Sequence, residues 1–197
     1  MIRMAIALSL AVSGAALAAP VTYEIDPNHT YPSFEADHGG GMSVWRGKFN
    51  ASKGTVTLDL AAKKGEVDIT IDAASVDFGH DRMNEHAKAA DIFDVAKFPT
   101  ITYKGAFSKF NGDVPAEVDG QLTMHGVTKP VKLTLNSFMC RTNATTKRET
   151  CGADASATFN RADFGVNMGQ TMGFKQEVKL AIQVEARTPA PAAPAAP

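Results

Sequence analysis

Apolar and polar residues alternate one by one along most of this chain. The clearest case is 67–73, which reads Val-Asp-Ile-Thr-Ile-Asp-Ala, with an apolar residue at every odd position and a polar residue at every even one. Because successive side chains of a strand point to opposite faces, this period of two predicts a β-strand with one dry and one wet face. Five further segments alternate in the same way: 56–60, 101–107, 118–124, 131–135 and 178–184.

Turn-forming residues separate these strands. Gly65, Gly112 and Gly126 each follow a polar or charged residue between two alternating segments. Antiparallel strands joined by such short turns form sandwiches or barrels. The sequence therefore predicts an all-β fold.

One segment, 80–93, departs from the alternation. It is rich in Ala, Glu, Lys and Met, which are good helix formers. We predict a single helical excursion of two or three turns here. We expect it near an end of the fold, where Phe93 could plug an opening.

The shared dry face of the strands leaves two interpretations of the interior. A barrel of about eight strands is just wide enough to be filled by side chains or to hold one small ligand. A Phe that packs a core and a Phe that lines a pocket produce the same sequence pattern. Alternation alone favours an ordinary filled core.

The N-terminus has the three parts of a secretory signal peptide. The positive charge of Arg3 is followed by a short apolar run and then by small residues that end at Ala18. This order predicts export to the periplasm and cleavage after Ala18. The run falls short of the ~20 residues that span a bilayer, so we expect no stable membrane insertion. The predicted organisation is a signal peptide, one domain and a disordered Pro/Ala-rich tail, at 1–18, 19–187 and 188–197.

Cys140 and Cys151 are the two cysteines of the sequence. An even number in an exported chain predicts a disulfide. The residues between them include several polar and charged ones, so the bridge is expected to tie the base of a hairpin loop, where it would contribute ~3 kcal/mol. A metal or redox pair is the alternative, but neither Cys-x-x-Cys spacing nor a neighbouring histidine supports it.

Charge and motifs argue against several functions. The net charge is −1 and no basic block is present, so we expect no nucleic-acid partner. The five histidines lack His-x-His or His-x-x-x-His spacing, and no nucleophile or phosphate-loop motif occurs. We expect no cofactor, no metal and no enzyme activity. The spacing leaves open a metal site assembled from residues far apart in the chain.

Several stretches resemble the YceI-like family. The most specific is 120–131, Gly-Gln-Leu-Thr-Met-His-Gly-Val-Thr-Lys-Pro-Val, which is nearly identical to the family's Gly-x-Leu-Thr-x-x-Gly-Val-Thr-Lys-Pro-Val. Further resemblance lies at 29–38, 45–49, 91–101 and 160–165. The resemblance implies a lipocalin-like, extended antiparallel β-barrel of about eight strands. It also implies a periplasmic protein that binds a polyisoprenoid or other long-chain lipid in a tunnel, with no cofactor and no catalytic residues.

The alternation along the strands and the resemblance to the YceI-like family together indicate the candidate site residues. Apolar residues expected to face inward and contact the ligand are Phe34, Trp45, Phe49, Ile69, Ile71, Phe93, Ile101, Tyr103, Leu122 and Met124. Polar residues expected to meet a head group at the tunnel mouth are His38, Asn84 and His86. Pro32, Ala36 and Ala87 stand where the family commonly has larger aliphatic residues, so the tunnel is wider here or other residues fill the gap.

Two other classes of function stay open. A stress or interaction module with a filled core needs no ligand, whereas an enzyme acting on a lipid needs titratable groups that converge inside the barrel. The ligand's identity and the oligomeric state, a dimer included, are also left open.

Overall fold

A computed structural model describes residues 19–191, most of which lie in β-strands. The strands are β1 Val21–Ile25, β2 Tyr31–His38, β3 Ser43–Phe49, β4 Ser52–Asp59, β5 Lys64–Asp72, β6 Val76–Asp77, β7 Thr100–Asn111, β8 Val114–Met124, β9 Val127–Thr142, β10 Glu149–Asn160 and β11 Glu177–Arg187. The helix α1 spans Asp81–Lys88, and short 3-10 turns lie at Ala73–Ser75, Arg161–Phe164 and Gln170–Met172. The predicted signal peptide and the last six residues of the predicted tail lie outside the described residues.

Eight of the described strands close into a ring. Their order is β1-β4-β5-β7-β8-β9-β10-β11, and β11 returns to β1, with Glu24 opposite Arg187. Neighbouring strands are antiparallel around the whole ring. The prediction of an antiparallel barrel of about eight strands is therefore confirmed.

Three more strands extend one side of this barrel. β2 pairs with β11 beyond the end of β1, and β3 lies between β2 and β6. The chain bends between β1 and β2, where Thr30 Oγ1 donates to the Glu185 carbonyl at 3.1 Å and accepts from the Glu185 amide at 3.2 Å. It bends again between β3 and β4, where the Asp72 amide donates to the Ala51 carbonyl at 3.0 Å. These bends keep the backbone paired while the wall lengthens.

The connections divide the barrel into two ends. At one end, which we call the turn end, the described strands are joined by the short segments 60–63, 112–113 and 143–148. At the other, the loop end, the connections are 39–42, 78–99, 125–126 and 161–176, and two of them are long. Function is commonly carried by loops held on a rigid scaffold, so the functional site is expected at the loop end.

The predicted helical excursion is confirmed as a short helix, but its predicted end at residue 93 is wrong. α1 ends at Lys88 because Ala89 is extended, with ψ of 166°. The chain then folds into successive turns, in which the Phe93 amide donates to the Ala87 carbonyl at 3.1 Å. This path packs Ile92 and Phe93 against the core. Tertiary packing has overridden the helix propensity of the segment.

The predicted disulfide between Cys140 and Cys151 is confirmed. The two residues lie directly opposite each other on β9 and β10, and the sulfurs are bonded at 2.04 Å. The bridge closes the loop 143–148 at the turn end, as the hairpin interpretation predicted. Among residues 19–191, no helix combines the length and apolar character that crossing a bilayer requires.

Candidate functional site

A cavity of about 280 Å³ lies inside the barrel. Native cores have few voids larger than a water molecule, and an engineered void of ~150 Å³ already holds benzene. The filled core that alternation alone favoured is therefore wrong. The interior is open.

The apolar faces of the strands form the cavity wall. Along β11 every second residue from Val178 to Ala186 lines the cavity, and the residues between them do not. Along β8 the lining residues are Val118, Leu122 and Met124. Gly120 lies on the same face of this strand but has no side chain to line the cavity. The wall is mostly made of aliphatic, aromatic and methionine side chains.

All ten of the apolar site residues predicted from the sequence lie on this wall. Phe34, Trp45, Phe49, Ile69, Ile71, Phe93, Ile101, Tyr103, Leu122 and Met124 line the cavity. Pro32 and Ala36 line it as well, so two of the three positions that lack the family's larger residues face the open space. Their contact with a ligand stays a prediction.

Five aromatic residues meet where the cavity approaches the loop end, and we call them the aromatic cluster. They are Phe34, Trp45, Phe49, Phe78 and Phe93. Phe34 is central, with ring centroids 5.7 Å from Phe49, 5.5 Å from Phe78 and 6.4 Å from Phe93. These separations are typical of edge-to-face and tilted aromatic pairs. The cluster forms an apolar part of the cavity wall near the loop end.

Gly47 makes room for the aromatic cluster. A β-carbon added at this position would lie 2.6 Å from Phe34 Cζ and 2.9 Å from Phe78 Cε1. Real β-carbons essentially never come so close to another atom. The absent side chain therefore allows two rings to pack directly on the backbone of β3.

Tyr103 shows the same arrangement deeper in the barrel. Its hydroxyl donates to the Val131 carbonyl at 2.8 Å, and a β-carbon on Gly120 would lie 2.3 Å from its ring. Burial raises the pKa of Tyr103 well above its ordinary value. The phenol thus stays neutral, and its polar end is satisfied by backbone rather than left free in the cavity.

Asp37, His38 and Arg161, three ionisable residues of the cavity wall, lie at the loop end. His38 lies between two aromatic rings, with centroids 5.1 Å from Trp45 and 5.3 Å from Phe174. Asp37 lines the cavity beside it and accepts a hydrogen bond from the Lys175 amide at 2.9 Å. Arg161 also lines the cavity, and it is only 9% exposed. An amphiphile in this cavity would find Asp37 and Arg161, the charged residues of the wall, at this end.

The other two polar site residues predicted from the sequence lie elsewhere. Asn84 is not part of the wall; its Oδ1 accepts a hydrogen bond from the Phe78 amide at 2.7 Å, which fixes the start of α1 against β6. His86 is exposed on α1 and does not line the cavity either. The structure therefore brings His38 to the cavity but neither Asn84 nor His86.

Several residues of the cavity wall were not predicted from the sequence. They are Phe78, Phe138, Phe159, Arg161, Met168 and Phe174. Phe138 and Phe159 lie on strands, and their parity could have identified them. The others lie on connections of the loop end, where no periodic pattern shows which way a side chain points.

The described residues hold no group of three or more His, Cys, Asp or Glu side chains arranged to bind a metal ion. Buried polar atoms without a partner among the described residues are Ser52 Oγ, His125 Nε2 and Gln176 Oε1. His125 lies in the β8–β9 turn, where Nδ1 is 3.2 Å from the Phe164 carbonyl. None of these three residues lines the cavity.

A closed antiparallel barrel around an apolar cavity is the architecture of lipocalin-like proteins. The chain belongs to the YceI-like family, because the family's YceI-like domain matches residues 23–186. A UPF0312 protein of Pseudomonas paraeruginosa is 33% identical over 183 residues, which cover 92% of this chain and 94% of the relative.

Solved structures share the fold. BcnA of Burkholderia cenocepacia superposes with a TM-score of 0.61 at 23% identity, over 79% of this chain and 95% of BcnA. A polyisoprenoid binding domain from Saccharophagus degradans superposes with a TM-score of 0.59 at 15% identity, over 86% of this chain and 99% of that domain. At these identities the likeness concerns the fold alone.

Proposed function

We propose that this chain is a periplasmic carrier that binds one long-chain isoprenoid or fatty lipid inside its barrel. The observation that carries the proposal is the apolar cavity, whose wall follows β11 from Val178 to Ala186. Eight residue steps of ~3.4 Å give a wall ~27 Å long. A long and narrow apolar space suits an extended alkyl or prenyl chain better than a compact ligand.

The chemistry of the wall supports a lipid. Each buried CH₂ contributes ~0.8 kcal/mol, so a long chain binds tightly without many specific contacts. Met124 and Met168 add flexible, polarisable surface that adapts to different chains. Family membership and the fold shared with a polyisoprenoid binding domain point to the same class of ligand.

Binding rather than a reaction is proposed because no catalytic arrangement is apparent on the wall. Among the described residues, no hydrogen bond or ion pair joins Asp37, His38 and Arg161 to one another. The Tyr103 hydroxyl donates its hydrogen bond to the Val131 backbone carbonyl. General acid–base or nucleophilic catalysis needs such groups within hydrogen-bond reach of each other or of a reacting atom.

The proposed compartment rests on two features of the chain. The first is the signal-peptide pattern of residues 1–18. The second is the disulfide between Cys140 and Cys151, since such bonds persist in oxidising compartments such as the bacterial periplasm. Fractionation of cells that express the full chain tests this part, and a cytoplasmic protein with an uncleaved N-terminus would contradict it.

Native mass spectrometry of protein purified from the periplasm without detergent tests the binding function. We expect a population heavier than the mature chain by the mass of one lipid, and organic extraction should release that lipid and identify it. Protein that arrives without lipid should acquire one on mixing with a total lipid extract. A chain that stays free of lipid after both treatments would contradict the proposal.

A further inference from the structure

Arg161 is a buried cation on the wall of a mostly apolar cavity. The residue follows β10 and begins the 3-10 turn Arg161–Phe164, at the loop end. It is 9% exposed, which is unusual because arginine is almost never fully buried unless it is paired.

The partners of Arg161 are neutral. Nη1 donates to the Val166 carbonyl at 3.2 Å and Nη2 donates to the Met168 carbonyl at 2.7 Å. A guanidinium carries five N–H donors, so these two bonds leave donors over. Both carbonyls belong to residues that themselves line the cavity, which places the guanidinium at the cavity wall.

No carboxylate pairs with this guanidinium in the described part of the chain. Arg46, Arg148 and Arg187 each lie within 4.0 Å of a carboxylate oxygen, whereas Arg161 forms no such pair. Asp37 is close enough to favour the charged form, but its carboxylate accepts from the Lys175 amide instead.

The charge of Arg161 persists although it is desolvated. Burial lowers the pKa of the guanidinium from its ordinary value, and the charge of Asp37 opposes that effect. An arginine side chain nevertheless stays protonated in proteins. A desolvated charge is costly unless an opposite charge compensates it, so a ligand that supplies an anion here gains more than one that does not.

We propose that Arg161 binds the anionic head group of the amphiphile whose tail occupies the cavity. The head group is a carboxylate or a phosphate monoester, both of which match the planar fork of a guanidinium. This inference rests on the proposed function and specifies the class of lipid. The tail then runs from the loop end toward the turn end.

A purely structural role for Arg161 makes a different prediction. If its only task is to hold the Val166 and Met168 carbonyls, its removal weakens the loop end and lowers the affinity for every amphiphile alike. If it binds an anion, its removal abolishes the preference for acidic amphiphiles. The ratio between the affinity for an acidic amphiphile and the affinity for a neutral one therefore distinguishes the two roles.

The test compares delipidated wild-type protein with Arg161→Met and Arg161→Lys. The probes are hexadecanoic acid, hexadecyl phosphate and hexadecanol, titrated calorimetrically at pH 7.5. We expect the wild type to bind at least one of the two acids at least tenfold more tightly than the alcohol. Arg161→Lys should keep most of that ratio. Arg161→Met should bring the ratio close to one, while its affinity for the alcohol stays within about threefold of the wild-type value. The exposed Arg82→Met, which removes the same charge from α1, should keep the wild-type ratio.

Each outcome has one meaning. Equal affinities of the wild type for acids and alcohol, or an unchanged ratio in Arg161→Met, would overturn the role of Arg161 but not the carrier function. No binding of any probe, the alcohol included, would count against the proposed function itself. A preference for only one of the two acids identifies the head group. If Arg161→Met does not fold, the Arg161 Nε–H resonance of the wild type, assigned by its loss in Arg161→Lys, should shift with an acid and not with the alcohol; an equal shift with both would overturn the inference.

Discussion

The two ends of the barrel are held together in different ways. At the turn end, short hairpins are fastened by the Cys140–Cys151 disulfide and by a 3.0 Å hydrogen bond from the Tyr23 hydroxyl to Glu149. At the loop end, the long connections are held by hydrogen bonds, such as those from Arg161 to the Val166 and Met168 carbonyls, and by aromatic rings such as Phe78. A covalent cross-link fixes the geometry of the turn end, whereas the described residues of the loop end carry none. Under the proposed function, the turn end keeps the barrel closed and the lipid enters at the loop end.

Each end of the barrel carries both buried and exposed apolar side chains. Tyr23, Leu58 and Ala186 belong to a separate cluster of buried residues at the turn end, and Tyr23 and Leu58 are each 3% exposed. At the loop end, Met42 and Met172 are 84% and 65% exposed. Phe164 at the loop end is only 1% exposed and Val114 at the turn end is 47% exposed, so burial by itself does not distinguish the two ends.

Removal of the disulfide should have the largest effect on stability and little effect on binding. The double substitution Cys140→Ala with Cys151→Ala releases the turn end, and we expect the free energy of unfolding in urea to fall by about 3 kcal/mol. Cys151 lines the cavity, but alanine keeps that part of the wall apolar and the loop end is untouched, so affinity for a long-chain lipid should stay within about twofold. A folded double variant that no longer binds lipid would show that the two ends are not independent.

Substitution of Gly47 tests the aromatic cluster. Gly47→Ala forces a β-carbon against Phe34 and Phe78, and overpacking of this kind costs ~1–3 kcal/mol. Lipid affinity should fall as well, since the displaced rings enter the cavity. Gly152→Ala is the matched control, because its β-carbon would find nothing nearer than 3.7 Å and should change stability by less than about 0.5 kcal/mol. Equal costs at the two glycines would contradict the role given to Gly47.

Ile71→Trp should fill the middle of the cavity. We expect lipid affinity to fall about tenfold or more, which is about 1.4 kcal/mol, while the free energy of unfolding changes little. Thr70→Trp is the control, since the neighbouring residue does not line the cavity and its larger side chain should leave affinity unchanged. If both variants bind lipid as the wild type does, the ligand lies elsewhere.

These variants mark what the sequence could and could not predict. Strict alternation places Ile71 and Leu122 on the inner wall because a strand has only two faces. Cys140 and Cys151 were predictable from number and compartment. Arg161 was not, because it lies in a 3-10 turn without periodicity. The open interior depends on how much volume the aromatic rings of the loop end leave empty. The alternation of apolar and polar residues contains no information about that volume.

Alkaline pH should weaken the turn end. Burial, followed by the hydrogen bond and charge of Glu149, raises the pKa of Tyr23 to about 12. The unfolded phenol ionises near pH 10, so the stability from keeping Tyr23 neutral is fully present below pH 10 and is lost as the pH rises toward 12. Between pH 9 and 11 the wild type should lose on the order of 1 kcal/mol more than Tyr23→Phe. Parallel pH profiles of unfolding for the two proteins would argue against the raised pKa.

Hydrogen exchange should show the smallest and most local difference. Segments at binding openings come from the least stable part of a fold, so amides of α1 and of 89–98 should exchange fast without ligand and at least about threefold more slowly with it. Amides of β9 and β10 next to the disulfide should exchange alike in both states. Equal protection at the loop end with and without lipid would remove its role as the opening.

The most direct test of this account uses the chain's single tryptophan, Trp45, which lines the cavity near the loop end. Bromine quenches tryptophan fluorescence on contact, so fatty acids brominated at different carbons report which part of the lipid lies beside Trp45. At saturation, hexadecanoic acid brominated next to its carboxyl group should quench Trp45 strongly, and the same acid brominated at its methyl end should quench it weakly. Stronger quenching by the methyl-end bromine would mean that the lipid lies the other way round. No quenching by either acid, although both bind, would contradict the cavity as the binding site.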